Sequence, residues 1–407
     1  MKSVFQNIFL KAVHLAGRDD YVVVHLDDTV IKKTGKKIPG TAWRRDALGP
    51  PFHTNFIWGQ RFMKLSVSVP ENKGVGPARS IPIQLIHCPS AEKPKYNAST
   101  QERQEYKEQL KQKNLNIYGS ESIKQVRAMM DESGMKNKKL VLAVDGSYTN
   151  GKIIKNLPPG VALVGRVRKD AKFNLPAEQQ PHTGRKKIYG KELPTPEQIR
   201  QSDEYPWISV QAWAAGKMHN FDIKVVDNIM WRKAGKDIRM RLIVIRPLKY
   251  RLTKKSRVLY RKPAYLLCID SEIAIQDFLQ FYLWRWQIEV NIEDCKDLGI
   301  GQAQVRNIHS IELVPAFITA VYSLLHLAYL QCEPLVNGEL MPRPKWYPFK
   351  KSKRVTTGDL LKCARAQIYC KGIGMSFSHF LKLESNSRSG RNSNPSSVYT
   401  AFQARAS

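Results

Sequence analysis

Continuous apolar runs alternate along this chain with polar segments of helical spacing. Residues 21–26 read YVVVHL, a β-branched run that predicts a strand buried on both faces and central in a sheet. It ends in Asp27-Asp28-Thr29. The basic stretch that follows, KKTGKKIPGTAWRRDALGPP, is punctuated by Gly and Pro and predicts loop. Residues 56–69 and 81–87 predict two more strands. Ser99 with Glu102 three residues later has the form of a capping box and predicts the start of a polar helix. A second helix is expected around Ser122 to Asp131. KLVLAV, residues 139–144, is another buried strand that runs into an aspartate, Asp145, followed by Gly146. A further strand is predicted over 161–167, with Arg166, Arg168 and Lys169 at its exit.

From about Asn174 to Tyr265, Pro-rich and basic loops surround alternating runs at 207–213, 221–230 and 239–245, which predicts an all-β insertion. Its last part, 246–262, holds eight Lys/Arg and no acid. An apolar run at 265–269 precedes a long helix expected from roughly Ser271 to Lys296, and apolar helix continues to about Cys332. This order predicts an α/β protein with a mixed sheet flanked by helices, and it is also the order of the ribonuclease-H-like fold. The expected organisation is a short N-terminal segment at 1–19, a catalytic domain over 20–173 and 266–335, and the β-rich insertion over 174–265. A basic linker with a small helical segment follows at 336–383, and a Ser/Asn/Arg-rich tail at 384–407 is expected to be disordered.

Charge changes the picture. The 407 residues carry 66 Lys plus Arg against 35 Asp plus Glu, a formal net charge of +31. Self-repulsion on that scale favours a polyanionic partner, and nucleic acid is the first candidate. The six cysteines form no C-x-x-C pair, which argues against a zinc site or a disulfide framework and for reduced cytoplasmic thiols. Residues 314–330, the most apolar stretch, contain Pro315 and His326 and predict a buried helix rather than a membrane span.

Candidate chemistry lies at the strand ends. Asp28 and Asp145 each close an apolar strand, on the edge of an α/β sheet where ligand sites collect. Because neighbouring strand residues point to opposite faces, Asp27 and Asp28 cannot both face one site unless the strand has already broken there. In YLWRWQIEVNIEDCK, helical spacing puts Tyr282, Arg285, Glu289 and Lys296 on one face. Arg285 precedes Glu289, the poorer orientation for an ion pair, and Glu293 repels Glu289 from one turn on, so a plain salt-bridge ladder does not explain the face. Three carboxylates from separate elements suit Mg²⁺, which prefers hard oxygen ligands, and two such ions can serve phosphodiester cleavage. Arg285 and Lys296 are suited to DNA phosphates. No Ser/His/Asp or Cys/His set stands out.

The spacing Tyr282-x(2)-Arg285-x(3)-Glu289-x(6)-Lys296 resembles the Y-x(2)-R-x(3)-E-x(6)-K signature of bacterial insertion-sequence transposases with a DDE triad. The W-x-I-E run at 286–289, the Asp-Thr pair at 28–29 and Asp145 resemble the same family, over roughly residues 20–330. The resemblance implies a ribonuclease-H-like catalytic domain with Asp28, Asp145 and Glu289 as catalytic acids and metal ligands, and Tyr282, Arg285 and Lys296 as DNA-binding residues. It implies Mg²⁺ or Mn²⁺, two ions, as cofactor, and cut-and-paste transposition in which a freed 3′-hydroxyl attacks target DNA. The implied partners are double-stranded DNA, as terminal inverted repeats and target, and a second copy of the chain in a homodimer. Twenty-seven residues precede Asp28, where relatives carry an end-binding region, so ends are expected to be bound through the insertion and the C-terminal segment unless the start is truncated. Trp213 and Trp231 of the insertion are expected in the core, with base stacking the alternative. Two other readings remain at this stage: a repurposed copy that binds DNA without cutting, and a different ribonuclease-H-like nuclease such as a resolvase.

Overall fold

The apolar runs assemble into one ten-stranded mixed sheet. In the computed structural model, residues 1–46, 49, 54–71, 75–178, 186–252, 256–336, 340, 343 and 354–381 are described. The first half of the chain comprises α1 (Lys2–Ala16), β1 (Tyr21–Lys32), β2 (Thr41–Arg45), β3 (Phe56–Pro70), β4 (Ala78–His87), α2 (Thr100–Gln112), α3 (Leu115–Glu132), β5 (Lys139–Val144), α4 (Gly151–Ile154) and β6 (Val161–Arg166). The β-rich stretch then supplies β7 (Asn174–Pro176), β8 (Tyr189–Glu192), the short helix α5 (Pro196–Gln201), β9 (Ile208–Ala214), β10 (Lys217–Ile229), β11 (Met240–Ile245), β12 (Lys249–Tyr250) and β13 (Leu259–Tyr260). The chain continues with β14 (Ala264–Cys268), α6 (Ile275–Trp284), α7 (Trp286–Asp297), α8 (Ile308–Val336) and α9 (Thr357–Gly372).

The strand order is β2-β3-β1-β5-β6-β14-β11-β10-β9, with β4 also paired to β3. β1, β5 and β6 are mutually parallel, while β3 runs antiparallel to β1 and β14 antiparallel to β6. The fold class expected from the alternation, mixed α/β with helices flanking a mixed sheet, is therefore what the chain adopts. Ser99 caps α2 as its spacing predicts, with both bonds of the capping box present.

Three local expectations change. The basic stretch after Thr29 is not all loop, because Thr41–Arg45 forms β2, held to β3 by the Trp43–Trp58 cross-strand pair. The segment 174–265 is β-rich but carries α5, and β9, β10 and β11 extend the central sheet through β14 instead of standing apart from it. The helix expected from Ser271 to Lys296 begins at Ile275 and is interrupted at Arg285, where the bonds tighten to Arg285 N–H→Tyr282 O and Ile288 N–H→Arg285 O. The tail from Glu384 lies outside the described residues.

The chain comprises two compact units, Met1–Val321 and Tyr322–Ser407. In the first unit one sheet face packs Val23, Val141, Ala143, Val164, Ile243 and Leu266 against Phe278, Leu279, Phe281 and Trp284 of α6. The opposite face receives α3, where Gly119 lies against Leu26 and Met63. In the second unit a small core forms from Cys363, Ala366, Cys370 and Phe380. There Arg343 and Asp359 make a buried ion pair at 2.6 Å, and His326 bonds Thr357 at 2.9 Å. Among the described residues, Ile308–Cys332 is one stretch whose length and mean hydropathy of 1.7 would allow a membrane span, and 44% of its apolar window is buried. Thr319, Ser323 and His326 are buried along it, as in the core helix of a globular protein.

Candidate active site

The two aspartate-bearing strands lie side by side because of their register. β1 pairs with β5 up to Leu26↔Val144, so Asp27 and Asp145 are the next residues of two parallel neighbours. β5 stops there, but β1 continues along β3 alone to Lys32. The acids of β1 are thus mid-strand rather than at its end.

Alternation then decides which acid faces what. Val23, Val141 and Ala143 belong to the core under α6, so Asp27, and Asp145 if the alternation carries on, point to the α6–α7 face. Leu26 faces Gly119 of α3, and Asp28 shares that side. The contacts agree. Asp27 Oδ2 lies 3.4 Å from Arg285 Nη1, and Arg285 Nη2 donates to Glu289 Oε1 at 2.8 Å. Asp28 instead accepts from the Tyr148 hydroxyl at 2.8 Å and lies 3.4 Å from Arg61 Nε. Asp145 Oδ1 is held by the Ser147 backbone N–H at 2.8 Å and the Ser147 hydroxyl at 2.6 Å.

The structure therefore brings Asp27, Arg285 and Glu289 to one face, with Asp145 following β5 next to Asp27 and near enough to raise its carboxyl, and sets Asp28 on the other side of β1, beside Tyr148. Of the family-spaced residues, Tyr282 is half-buried beside Arg285, whose guanidinium sits 5.8 Å from the ring centre. Lys296 is exposed and pairs with Glu293 at 2.7 Å, two turns beyond Glu289. Ion pairs that the helix spacing disfavoured do form here, because Asp27 supplies Arg285 with a second acceptor across the sheet.

Electrostatics mark Asp27. Burial pushes its carboxyl up, Asp145 and Asp28 push the same way, and Arg285 offsets only part of this, leaving a pKa of about 7. Burial works against the Arg285 charge, but Tyr282, Asp27 and Glu289 outweigh it and hold the guanidinium above its usual range. Beneath the site His25 is fully buried, bonded to Ser68 at 2.6 Å, and kept neutral by burial and the nearby Arg285 charge, with a pKa of about 3. On the other face burial, reinforced by Asp28, raises the Tyr148 hydroxyl, so it stays protonated and donates.

The helix carrying Glu289 is fastened to the sheet by a buried polar network that the residue pattern did not reveal. Lys64, opposite Asp27 on β3, donates to Asn291 Oδ1 at 2.9 Å and lies 3.4 Å from both the Asn291 carbonyl and Cys295 Sγ. The Asn291 amide in turn reaches the Ser66 and Ser80 hydroxyls at 3.2 Å. The signal in the sequence was a lysine inside the alternating run FMKLSVSV. Lys64→Met should cost about 1–3 kcal/mol, because it orphans the Asn291 acceptors in the core. Urea unfolding checks this, and an unchanged midpoint would show that the network does not hold α7. Trp231 is buried against Phe173, as expected for a core residue; Trp213 is half-buried on β9, where its backbone N–H donates to Gln280 Oε1.

The oxygen donors suit a hard cation such as Mg²⁺. Among the described residues, however, no three His, Cys, Asp or Glu side chains converge closely enough to hold one between them. Arg285 supplies the positive charge between Asp27 and Glu289 in this arrangement. A search of protein families and of curated proteins finds no match to the chain.

Proposed function

We propose that the chain is a DNA transposase of the DDE class with a ribonuclease-H-like catalytic domain, cleaving transposon ends and transferring the freed 3′-hydroxyl to target DNA. One observation carries the reading: acids from three distant segments come together, with Asp145 next to Asp27 by strand register and Glu289 tied to Asp27 through Arg285. The sheet supports it, since an antiparallel β4-β3-β1 half leads into parallel β5 and β6 with helices between, in the order named from the sequence. Asp145, Glu289 and an aspartate of β1 would hold Mg²⁺ or Mn²⁺, and of the two aspartates geometry favours Asp27. When bound, the cation supplies Lewis-acid stabilisation of the reacting phosphodiester.

The chain's own residues position the substrate. Tyr282 sets the Arg285 guanidinium by ring contact, and release of Arg285 from either carboxylate presents a fork for a DNA phosphate. Lys296, exposed on the same helix, offers a point charge. Inverted-repeat ends, target DNA and a second copy of the chain are the partners of this reading.

A second reading, DNA binding without cleavage, is favoured by the Arg285 bridge and the absence of a gathered three-acid cluster among the described residues. Incubating the full chain with end-bearing DNA, with and without Mg²⁺, separates the two. Strand cleavage that requires Mg²⁺ and is lost in Glu289→Gln supports the transposase, while binding with no cleavage leaves the second reading. A preference for four-way junctions over linear ends would point to a resolvase instead.

A further inference from the structure

We infer that the arm built from the end of β1, β2 and the start of β3 is a DNA-docking surface that grips phosphates through Lys36, Lys37 and Arg45 and stacks an unpaired base on Trp43. The inference rests on the DNA reading above and adds the place where DNA enters. Beyond Leu26, β1 has no β5 neighbour and runs six residues further, to Lys32, alongside β3. At roughly 3.3 Å per residue this carries the arm about 20 Å past the level of Asp145. It leaves the sheet on the edge that holds the acids.

The arm is basic without interruption. Residues 32–45 contain six Lys/Arg and no acid. Two of the six are committed to the fold: Lys33 donates to the Gly301 and Ala303 carbonyls, and Arg44 donates to Ser90. The other four are exposed. On one face of the β2–β3 pair the cross-strand partners are Trp43 with Trp58 and Arg45 with Phe56. Trp43 is 68% exposed and Phe56 60%, and an edge-to-face contact of 5.6 Å with Trp58 fixes the Trp43 ring.

Cations on an edge strand commonly serve only to block strand-to-strand aggregation. That role accounts for the charges but not for two aromatic rings left in water beside them, which would promote the same aggregation. A second copy of the chain is a poor occupant of the arm itself, since with no DNA between them its six Lys/Arg would face a chain of net charge +31. Alternating cations and exposed aromatics fit a nucleic-acid strand, with phosphates on the cations and a base on the ring.

Fluorescence anisotropy with the full chain tests this, using a roughly 30-base-pair blunt duplex and the same duplex with a short single-stranded overhang, across a salt series. The triple variant K36A/K37A/R45A is expected to weaken both DNAs and to flatten the log–log salt slope by about 2–3. Trp43→Ala is expected to weaken the overhang duplex about 10-fold and the blunt one little, and Trp43→Phe to retain most of the difference. Thermal melting of each variant separates docking from folding. The surface is overturned if wild-type chain binds neither DNA, if variants with wild-type melting keep wild-type affinity and slope, or if phosphatidylserine vesicles outcompete DNA for the arm. Variants that lose binding while wild-type chain fails to cut with Mg²⁺ would overturn the transposase reading and leave the surface standing. A wild type that cuts, with arm variants that bind normally, would do the reverse.

Discussion

Asp27→Asn is expected to lower Mg²⁺-dependent strand cleavage by a factor on the order of 1000, the scale seen when a group that stabilises developing charge is removed. Asp28→Asn should cost roughly 10–100-fold, as loss of a supporting residue does. The family resemblance assigns the first acid to Asp28, through the Asp-Thr pair. The structure turns Asp27 to the face shared with Arg285 and Glu289 and leaves Asp28 with Tyr148 and Arg61. Side chains alternate along β1, and its register against β3 is unbroken from Val24 to Lys32, so no bulge rotates Asp28 back. DNA binding measured in parallel should survive both changes. If Asp28→Asn abolishes cleavage and Asp27→Asn spares it, the assignment by resemblance stands, and the working site lies on the α3 side of β1.

The second large effect is on stability. Asp27 ionises at about 7 in the folded chain, well above the ordinary carboxyl range. Since the folded value is raised, Asp27 favours folding fully below the unfolded pKa near 4, and that contribution disappears as pH rises through 7. By linkage, ionisation of Asp27 costs the folded state up to about 4 kcal/mol. His25, held neutral by burial, works with the opposite sign and costs stability at low pH, so the informative quantity is the difference between wild type and Asp27→Asn. Without metal the two proteins should unfold alike near pH 4, and the variant should become progressively more stable between pH 5 and 8. At pH 8, Mg²⁺ should raise the wild-type melting temperature and leave Asp27→Asn unmoved, because a cation stabilises only the ionised acid. A difference that stays flat across that pH range would mean that Asp27 is not a strained carboxylate.

Much of the framework around the candidate acids could be read along the chain. YVVVHL and KLVLAV become the central parallel pair, each running into an aspartate, and Glu289 lies on the helix expected for it. Those features depend on near neighbours: apolar runs make buried strands, and spacing sets a helix face. β2 escaped notice because Gly35, Pro39 and Gly40 punctuate its approach, and what makes it a strand is Trp58, fifteen residues beyond Trp43. The network of Lys64, Asn291, Ser66 and Ser80 joins three elements, and nothing in the pattern of any one of them announces the others.

By itself, then, the sequence determined the central apolar strands and the stretch of helix that carries Glu289, a charge balance suited to a polyanion, and the candidate acids Asp27 or Asp28, Asp145 and Glu289. That only one of Asp27 and Asp28 can share a face with Arg285 and Glu289 follows from the pleat once β1 is seen to continue through both. Which one does was decided by tertiary structure alone. The choice depends on which sheet face receives α6 and α7 and on where β5 stops against β1, and both are set by packing and pairing between residues more than a hundred positions apart.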